Sequence, residues 1–390
     1  MSNLSGTFPV TVADYRGLAR RRLPRFLFDY IDGGANAEQT LAANEAAFQQ
    51  VLIRQRVLRD VSRVDTRTTL LGEAAALPVA LGPVGMVGYM ARRGEVQALR
   101  AARTAGIPFT LSTLGTCPPE ELRAAAGSPG WFQLYMLRDR GVVRAVLERA
   151  QAAGCKTLVL TVDLATTGLR HRDQRNGLQD RGPRGRLAKA LQIAARPRWI
   201  WDVGLRGGPH HFGTLQGLAD APSDLNGFRA WLDGQFDASV TWKDIEWLRG
   251  LWPGRLLLKG LLEPEDGRPA LDLGADGLVV SNHGGRQLDG VASTLSKLPA
   301  MVEAMEGRLE VYLDGGVRNG IDVFRALALG ARGVLLGRAW VWALAGGGEA
   351  GLAAFLGTLR KELEVAMALS GVNCVADIGR EQLDGPPRWE

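Results

Sequence analysis

The sequence predicts an α/β protein: a closed TIM (β/α)₈ barrel with an N-terminal helical segment and a long insertion after the fourth strand. Three observations predict it. Short apolar runs recur at 79–82, 109–113, 131–135, 157–163, 256–260, 277–283, 310–314 and 333–337. They are continuous and rich in branched residues, as strands buried on both faces are. Most are followed by residues at helical spacing, as at 95–102, 142–153 and 323–329. Glycine closes many of these helices, at Gly106, Gly127, Gly154, Gly274, Gly307 and Gly330, where a left-handed residue ends a helix without strain. Eight strands alternating with eight helices give a parallel sheet, and that number closes a barrel. The rival is an open doubly wound sheet, but no GxGxxG turn follows the first strand.

Taken in order, residues 11–50 read as helical, with Tyr30 just ahead of Gly33-Gly34. Tyr30 is either a core aromatic beside Phe26 and Phe28 or part of a flank or lid over the barrel. The helical extension, residues 1–75, leads into the first strand, and residues 1–390 are expected to form a single domain. One spacing breaks the rhythm, because residues 164–255 separate the fourth strand from the fifth. Within that gap, 177–227 is a basic insertion carrying Arg181, Arg184, Arg186, Lys189, Arg196, Arg198 and Arg206, with Trp199 and Trp201 among them. Basic residues mixed with indoles suit an anionic membrane surface, here through 178–215. A solvated loop over the active-site face is the alternative. Nucleic acid is not expected as a partner, since no recognition module accompanies the charge.

Composition narrows the classes. The chain has 390 residues, 46% hydrophobic and 23% charged, with a net charge of +6, which is ordinary globular composition with ample core. Its three cysteines, Cys117, Cys155 and Cys374, are far apart, which argues against a disulfide framework, an iron–sulfur cluster or a structural metal. The polar stretch at 1–7 does not read as a signal peptide. No uninterrupted apolar run reaches the ~18 residues of a membrane span. The closest, 333–345, is broken by Arg338.

Chemistry gathers at strand ends. The run Ser281-Asn282-His283-Gly284-Gly285-Arg286-Gln287-Leu288-Asp289 follows the buried strand 277–280, and His283 is one of only four histidines. That end of a parallel barrel is where catalytic groups collect, so His283 is a candidate base. Leu313-Asp314-Gly315-Gly316-Val317-Arg318 and Leu336-Gly337-Arg338 close the last two strands. Glycine there lets the backbone approach phosphate oxygens, and arginine supplies a fork for them. Lys259 closes a run of leucines, either facing an anion or snorkelling to water. Ser112-Thr113, Gln133 with Tyr135, and Thr161 with Asp163 could hold a flat polar ring or fill the barrel rim. A carboxylate at Asp163 near His283 would orient its ring and stabilise the imidazolium.

The 281–289 run resembles the signature of the FMN-dependent L-2-hydroxy acid oxidases and dehydrogenases. The resemblance extends from Phe28-Asp29-Tyr30 through Trp131-Phe132-Gln133-Leu134-Tyr135 and Leu160-Thr161-Val162-Asp163 to the 313–318 motif. Within the family, residues 92–98, 107–113 and 201–205 look most like the bacterial respiratory L-lactate dehydrogenases, with the mandelate dehydrogenases near relatives. The resemblance implies that His283 takes a substrate proton with support from Asp163. Arg286, Arg170 and Tyr30 would hold the substrate carboxylate, and Tyr135 its hydroxyl or carboxylate. Lys259 would face the flavin N1–C2 carbonyl, and Ser112, Gln133 and Thr161 would line the isoalloxazine. Asp314, Gly316, Arg318, Gly337 and Arg338 would hold ribityl and phosphate.

Leu114 and Gly85 occupy positions that vary in the family. Leucine favours a small aliphatic substrate such as L-lactate, and Gly85, near flavin N5, leans toward a dehydrogenase rather than an oxygen-using oxidase. No haem domain is expected ahead of residue 11. The implied acceptor is a quinone or another electron carrier. The implied state is a homo-oligomer, tetrameric or octameric, on the inner face of the cell membrane. L-mandelate oxidation and an FMN-dependent barrel isomerase are the rivals.

Overall fold

A computed structural model describes residues 8–389 apart from 181, 209, 219–226, 228–230 and 232–233. Arg181 and part of the basic insertion therefore lie outside the described residues. The chain opens with helices α1 (Val12–Arg22), α2 (Arg25–Asp32) and α3 (Gln39–Gln49). The expected helical stretch is thus broken twice, at Leu23-Pro24, where proline opens a new helix, and around Gly33-Gly34. A small antiparallel hairpin follows, β1 (Thr68–Leu70) and β2 (Glu73–Ala75).

Eight parallel strands then close into a barrel: β3 (Val79–Leu81), β4 (Phe109–Ser112), β5 (Gly130–Tyr135), β6 (Thr157–Thr161), β7 (Arg255–Leu261), β8 (Gly277–Val280), β9 (Glu310–Asp314) and β10 (Gly333–Leu336), which returns to β3. All the expected strands are present. The six glycines read as helix ends all have positive φ, from 67° at Gly274 to 102° at Gly330. The helical alternation fails in one place: after β7 the crossover is two proline-started turns, Pro264–Gly267 and Pro269–Asp272.

Alternation along the strands divides the core in two. Outward side chains such as Leu158, Leu160, Leu256 and Leu258 join the large cluster shared with the helices. Inward ones, including Trp131, Val159, Leu257, Val279, Tyr312 and Leu335, form a separate plug with Leu70 and Leu71 of the hairpin. The hairpin thus seals the floor of the barrel. Its Leu71 N–H donates to the Tyr312 hydroxyl at 3.1 Å and to the Glu310 carboxylate at 2.9 Å. Above the plug the inward residues turn polar, so the plug is the dry base on which a polar layer stands.

The last helix, Arg338–Leu369, is long and apolar enough to cross a membrane by length and composition. It bends at Gly348, whose φ is 68°. Its residues Ala339–Ala345, with Leu352, Phe355, Leu356 and Leu359, are buried, and it packs on α1 and on the helix Gly94–Ala105. Apolar residues occur around this helix because it is a core element.

Candidate active site

Strand register builds the floor of the site. Ser112 pairs in register with Gln133, and Thr161 with Lys259. The Ser112 hydroxyl donates to Gln133 Oε1 at 2.9 Å, and Gln133 Nε2 donates to Thr161 Oγ1 at 3.1 Å. Lys259 Nζ, 5% exposed as a residue, donates to Ser281 Oγ at 3.0 Å and pairs with Asp314 Oδ2 at 2.9 Å. Burial alone would lower its pKa, but Asp314 and Asp163 hold it above the ordinary lysine value. Lys259 is therefore an anchored buried cation, not a snorkelling one.

His283 sits just past β8 with φ +57°, followed by Gly284 at +64° and Gly285 at +72°. The two glycines adopt a left-handed backbone freely, but it costs a non-glycine residue about 1–2 kcal/mol, so His283 requires outside support. Ser281 Oγ accepts the His283 N–H at 3.1 Å, and Asn282 Oδ1 accepts the Gly285 N–H at 3.1 Å. The ring's Nδ1 lies 2.9 Å from Asp163 Oδ1. A carboxylate there fixes the proton on Nδ1 and leaves Nε2 basic. Burial pushes the imidazole below its ordinary pKa while Asp163 pulls the other way; Lys259 and Arg170 add to the lowering. Burial would raise Asp163, but His283 and Lys259 hold it below the usual carboxylate value. The resting pair is a neutral imidazole on a carboxylate.

Above this floor lies a cavity of about 1420 Å³, its open mouth included. Its wall contains Tyr30, Gly85, Tyr135, Thr161, Arg170, Lys259, His283, Arg286, Asp314, Gly316, Arg318, Gly337 and Arg338. Ser112, Gln133 and Asp163 lie one layer behind the wall and act on it through Thr161 and His283. Tyr30 packs against the core and also lines the cavity, with the Arg286 guanidinium 5.1 Å from its ring centroid. Arg286 Nη1 also donates to the carbonyls of Tyr30 and Gly33, at 2.6 and 3.0 Å.

The far end of the cavity fits a phosphate. Gly315 and Gly316 have φ of 87° and 86°, and a Cβ on Gly316 would stand 2.1 Å from the Asn44 carbonyl oxygen. Gly337 precedes the N-terminus of the helix Arg338–Leu369, a position that favours anions. Arg338 donates to the carbonyls of Gly284 and Gly33, each at 2.8 Å. Burial, with Arg286 and Arg318 nearby, pushes its pKa well below the usual arginine value. Its Nε and Asp314 Oδ1 are buried without a hydrogen-bond partner among the described residues. A crowded guanidinium group and an orphaned carboxylate oxygen are what a phosphate and a ribityl hydroxyl would satisfy.

Two aromatic walls were not foreseen. Phe212 and Phe236 line the cavity with Ile31, Met86, Leu114 and Leu164, and Phe236 meets the Tyr135 ring edge-on at 5.6 Å. Both come from the stretch between β6 and β7, where no periodicity marks which residues turn inward. The bridge Leu137↔Phe236 fixes the second wall.

The insertion departs from its expected form in one respect. Trp199 is 7% exposed, and its indole donates to the Tyr89 carbonyl at 2.9 Å, so it anchors the insertion instead of facing outward. Arg196 Nε donates to the Leu23 carbonyl at 2.9 Å, Gln192 accepts the Phe26 N–H at 2.9 Å, and Asp202 pairs with Arg22. The outer face carries Leu187, Leu191, Trp201 and Leu205, each more than 60% exposed.

A barrel with a buried histidine–carboxylate pair beside a glycine and arginine cluster that fits a phosphate has the layout of a phosphate-cofactor enzyme of the barrel class. Comparison with known proteins makes this specific. The model of the FMN-dependent dehydrogenase family matches residues 19–385, and the chain belongs to that family. It is an oxidoreductase whose cofactor is FMN. It is 54% identical over 374 residues to an L-lactate dehydrogenase of Stenotrophomonas maltophilia (strain R551-3), covering 96% of this chain and 98% of the relative. An L-lactate dehydrogenase of Caulobacter vibrioides (strain NA1000 / CB15N) is 55% identical over 368 residues, covering 94% and 96%. Among solved structures, the monotopic membrane protein (S)-mandelate dehydrogenase superposes with a TM-score of 0.91 at 36% identity, covering 97% of this chain and all of that one.

Proposed function

We propose that this protein oxidises L-lactate to pyruvate and passes the electrons to a membrane quinone, with the whole chain as one catalytic unit. The observation that carries the reading is the His283–Asp163 pair at 2.9 Å, opening on the same cavity as Arg170 and Arg286. A base and two guanidinium groups around one small space match an acid that loses a proton while its carboxylate is held. Arg286 and Arg170, with Tyr30, bind that carboxylate, and Tyr135 contacts the hydroxyl. His283 Nε2 takes one substrate proton, and Asp163 supports the imidazolium. FMN, when bound, would supply the two-electron sink, and the buried Lys259 ammonium would favour negative charge at its edge of the cavity. Ser112 and Gln133 fix Thr161, which would contact the flavin ring. Asp314, Gly316, Arg318, Gly337 and Arg338 would hold its ribityl and phosphate.

Lactate is favoured over mandelate because the lactate-named relatives share 54–55% identity, against 36% for the mandelate enzyme. Leu114 also narrows the wall. Mandelate is the second reading, favoured by the TM-score of 0.91. Steady-state rates on L-lactate and L-mandelate, each with a quinone analogue and with oxygen, test substrate and acceptor together. The lactate–quinone reading expects the highest turnover from that pair; faster mandelate turnover, or oxygen as the better acceptor, would replace it. An isomerase would leave the flavin's redox state unchanged after each turnover.

The insertion suits the membrane role. Leu187 and Leu191, four residues apart on the helix Pro183–Ala194, share one face. Trp201 and Leu205 are exposed too, with Arg184, Arg186, Arg198 and Arg206 around them. The mandelate enzyme named above is a monotopic membrane protein. Burying each apolar side chain in the interface contributes about 1.5–3 kcal/mol, and the arginines add attraction to anionic headgroups. The site is on the inner face of the cell membrane, and the protein is a tetramer or octamer, which light scattering in detergent would measure.

A further inference from the structure

Helix α3 contributes no residue to the set that the catalytic reading uses, yet it touches both halves of the site. Asn44, 1% exposed, and Asn282, 5% exposed, face each other across 238 positions of chain. Asn44 Nδ2 donates to Asn282 Oδ1 at 2.8 Å, and Asn282 Nδ2 donates to Asn44 Oδ1 at 2.8 Å. Most of the remaining capacity is spent nearby. Asn44 Oδ1 also accepts the Thr294 N–H at 3.1 Å, Asn282 Nδ2 also donates to the Ala292 carbonyl at 3.1 Å, and Asn282 Oδ1 also accepts the Gly285 N–H at 3.1 Å. That last bond closes the left-handed turn that contains His283. On its other side, the Asn44 backbone carbonyl packs directly on Gly316. Asp289 and Thr40 extend the clasp: Asp289 accepts the N–H groups of Ala37 and Thr40, and Thr40 Oγ1 accepts those of Gly290 and Val291.

We infer that Asn44 is a positioning residue for the reaction: through Asn282 it holds the His283 turn in place, and so makes base alignment depend on docking of helix α3. This rests on the reading of His283 as the base. The physical reason is that a turn of three left-handed residues has no preference of its own for one orientation of the imidazole. A reciprocal amide pair in which both oxygens accept twice and the Asn282 amide nitrogen donates twice has essentially one geometry. Asn44 fixes the Asn282 end of that turn, while Asp163 fixes the ring.

The test compares Asn44→Asp, Asn44→Leu and the double variant Asn44→Leu/Asn282→Leu in FMN-loaded protein. Asn44→Asp keeps both acceptor contacts but puts an oxygen against Asn282 Oδ1. The double variant removes both amides and leaves the buried Thr294 N–H without its acceptor, so it recovers part of the melting temperature lost by Asn44→Leu. Misplacing a reacting group by about 1 Å can cost about 100-fold, and the limiting rate of anaerobic flavin reduction is expected to fall about 10- to 100-fold in all three. Apparent substrate affinity and FMN loading change far less, because neither Arg286 nor the Asn44 backbone contact to Gly316 is altered. The kinetic isotope effect on the substrate α-hydrogen is expected to rise as the chemical step slows.

A double variant that melts above Asn44→Leu but still reduces its flavin slowly separates positioning from stability. FMN-loaded variants that reduce at the wild-type rate, with only a lower melting temperature, would overturn the inference while leaving His283 as base. A His283→Ala protein of undiminished rate would instead remove the reading beneath it.

Discussion

The loops after β8, β9 and β10 and the insertion after β6 use arginine in opposite ways. In the loops, Arg286 and Arg338 are half-buried and held by the carbonyls of Tyr30, Gly33 and Gly284. Arg318 lies 5.1 Å from the Trp342 ring centroid and pairs with Glu45. On the insertion, Arg184, Arg186, Arg198 and Arg206 are exposed beside exposed leucines. A guanidinium fixed by carbonyls keeps its positive charge uncompensated and aimed, which makes a binding site. One in water gives only a screened field that a surface can share. The same residue type thus marks a ligand in one region and a broad, shape-indifferent attraction in the other.

That contrast can be broken from the barrel side first. His283→Ala removes the base and is expected to lower the rate of flavin reduction by about 10²- to 10⁴-fold, measured by anaerobic stopped flow, with membrane binding intact. Arg286→Met leaves a carboxylate without its fork; such a truncation costs about 2–5 kcal/mol, or roughly 30- to several-thousand-fold in kcat/KM. Arg286→Lys should recover only part of this, since an ammonium group lacks the paired geometry.

The pH dependence follows with a definite sign. Burial lowers the His283 pKa below its ordinary 6.5, and the neutral ring is the active base. kcat/KM for lactate should therefore be flat above about 6.5 and fall about tenfold per unit only once pH drops through the lowered value. A midpoint above 6.5 would mean that Asp163 outweighs burial.

Smaller effects sharpen the comparison. A methyl group at Gly85 would lie 2.8 Å from Leu114 Cβ, so Gly85→Ala is overpacked and should lose about 1–3 kcal/mol of stability. Thermal melting should show little recovery when Leu114→Ala is added, because alanine keeps the Cβ that the new methyl group meets. Leu187→Glu combined with Trp201→Glu should change flavin reduction by less than about twofold, since surface changes remote from the site act weakly, yet release the protein from vesicles of anionic lipid. Unchanged vesicle binding would make the insertion's outer face an ordinary solvated surface.

The barrel was legible because its strands are buried on both faces, which writes each of them as an unbroken apolar run. The cavity residues were legible for a related reason: Lys259, His283 and Asp314 are polar groups that immediately follow or end such runs, where packing does not explain them. What stayed hidden depends on pairing across the chain. The β1–β2 plug is made of three-residue strands, too short to show a period. Asn44 reads as an ordinary polar residue of a helix until Asn282 is placed opposite it. Phe212 and Phe236 belong to irregular chain, and Trp199 could be assigned outward or inward only once Tyr89 stood beside it.

The most direct measurement is a single anaerobic mixing of the FMN-loaded protein with L-lactate, followed by flavin absorbance. Stoichiometric bleaching, with one pyruvate formed per flavin and no bleaching by D-lactate, is the expected result. A flavin that stays oxidised with L-lactate but bleaches with L-mandelate would contradict the lactate assignment. One that bleaches with neither would contradict the barrel mouth as a site of 2-hydroxy acid oxidation.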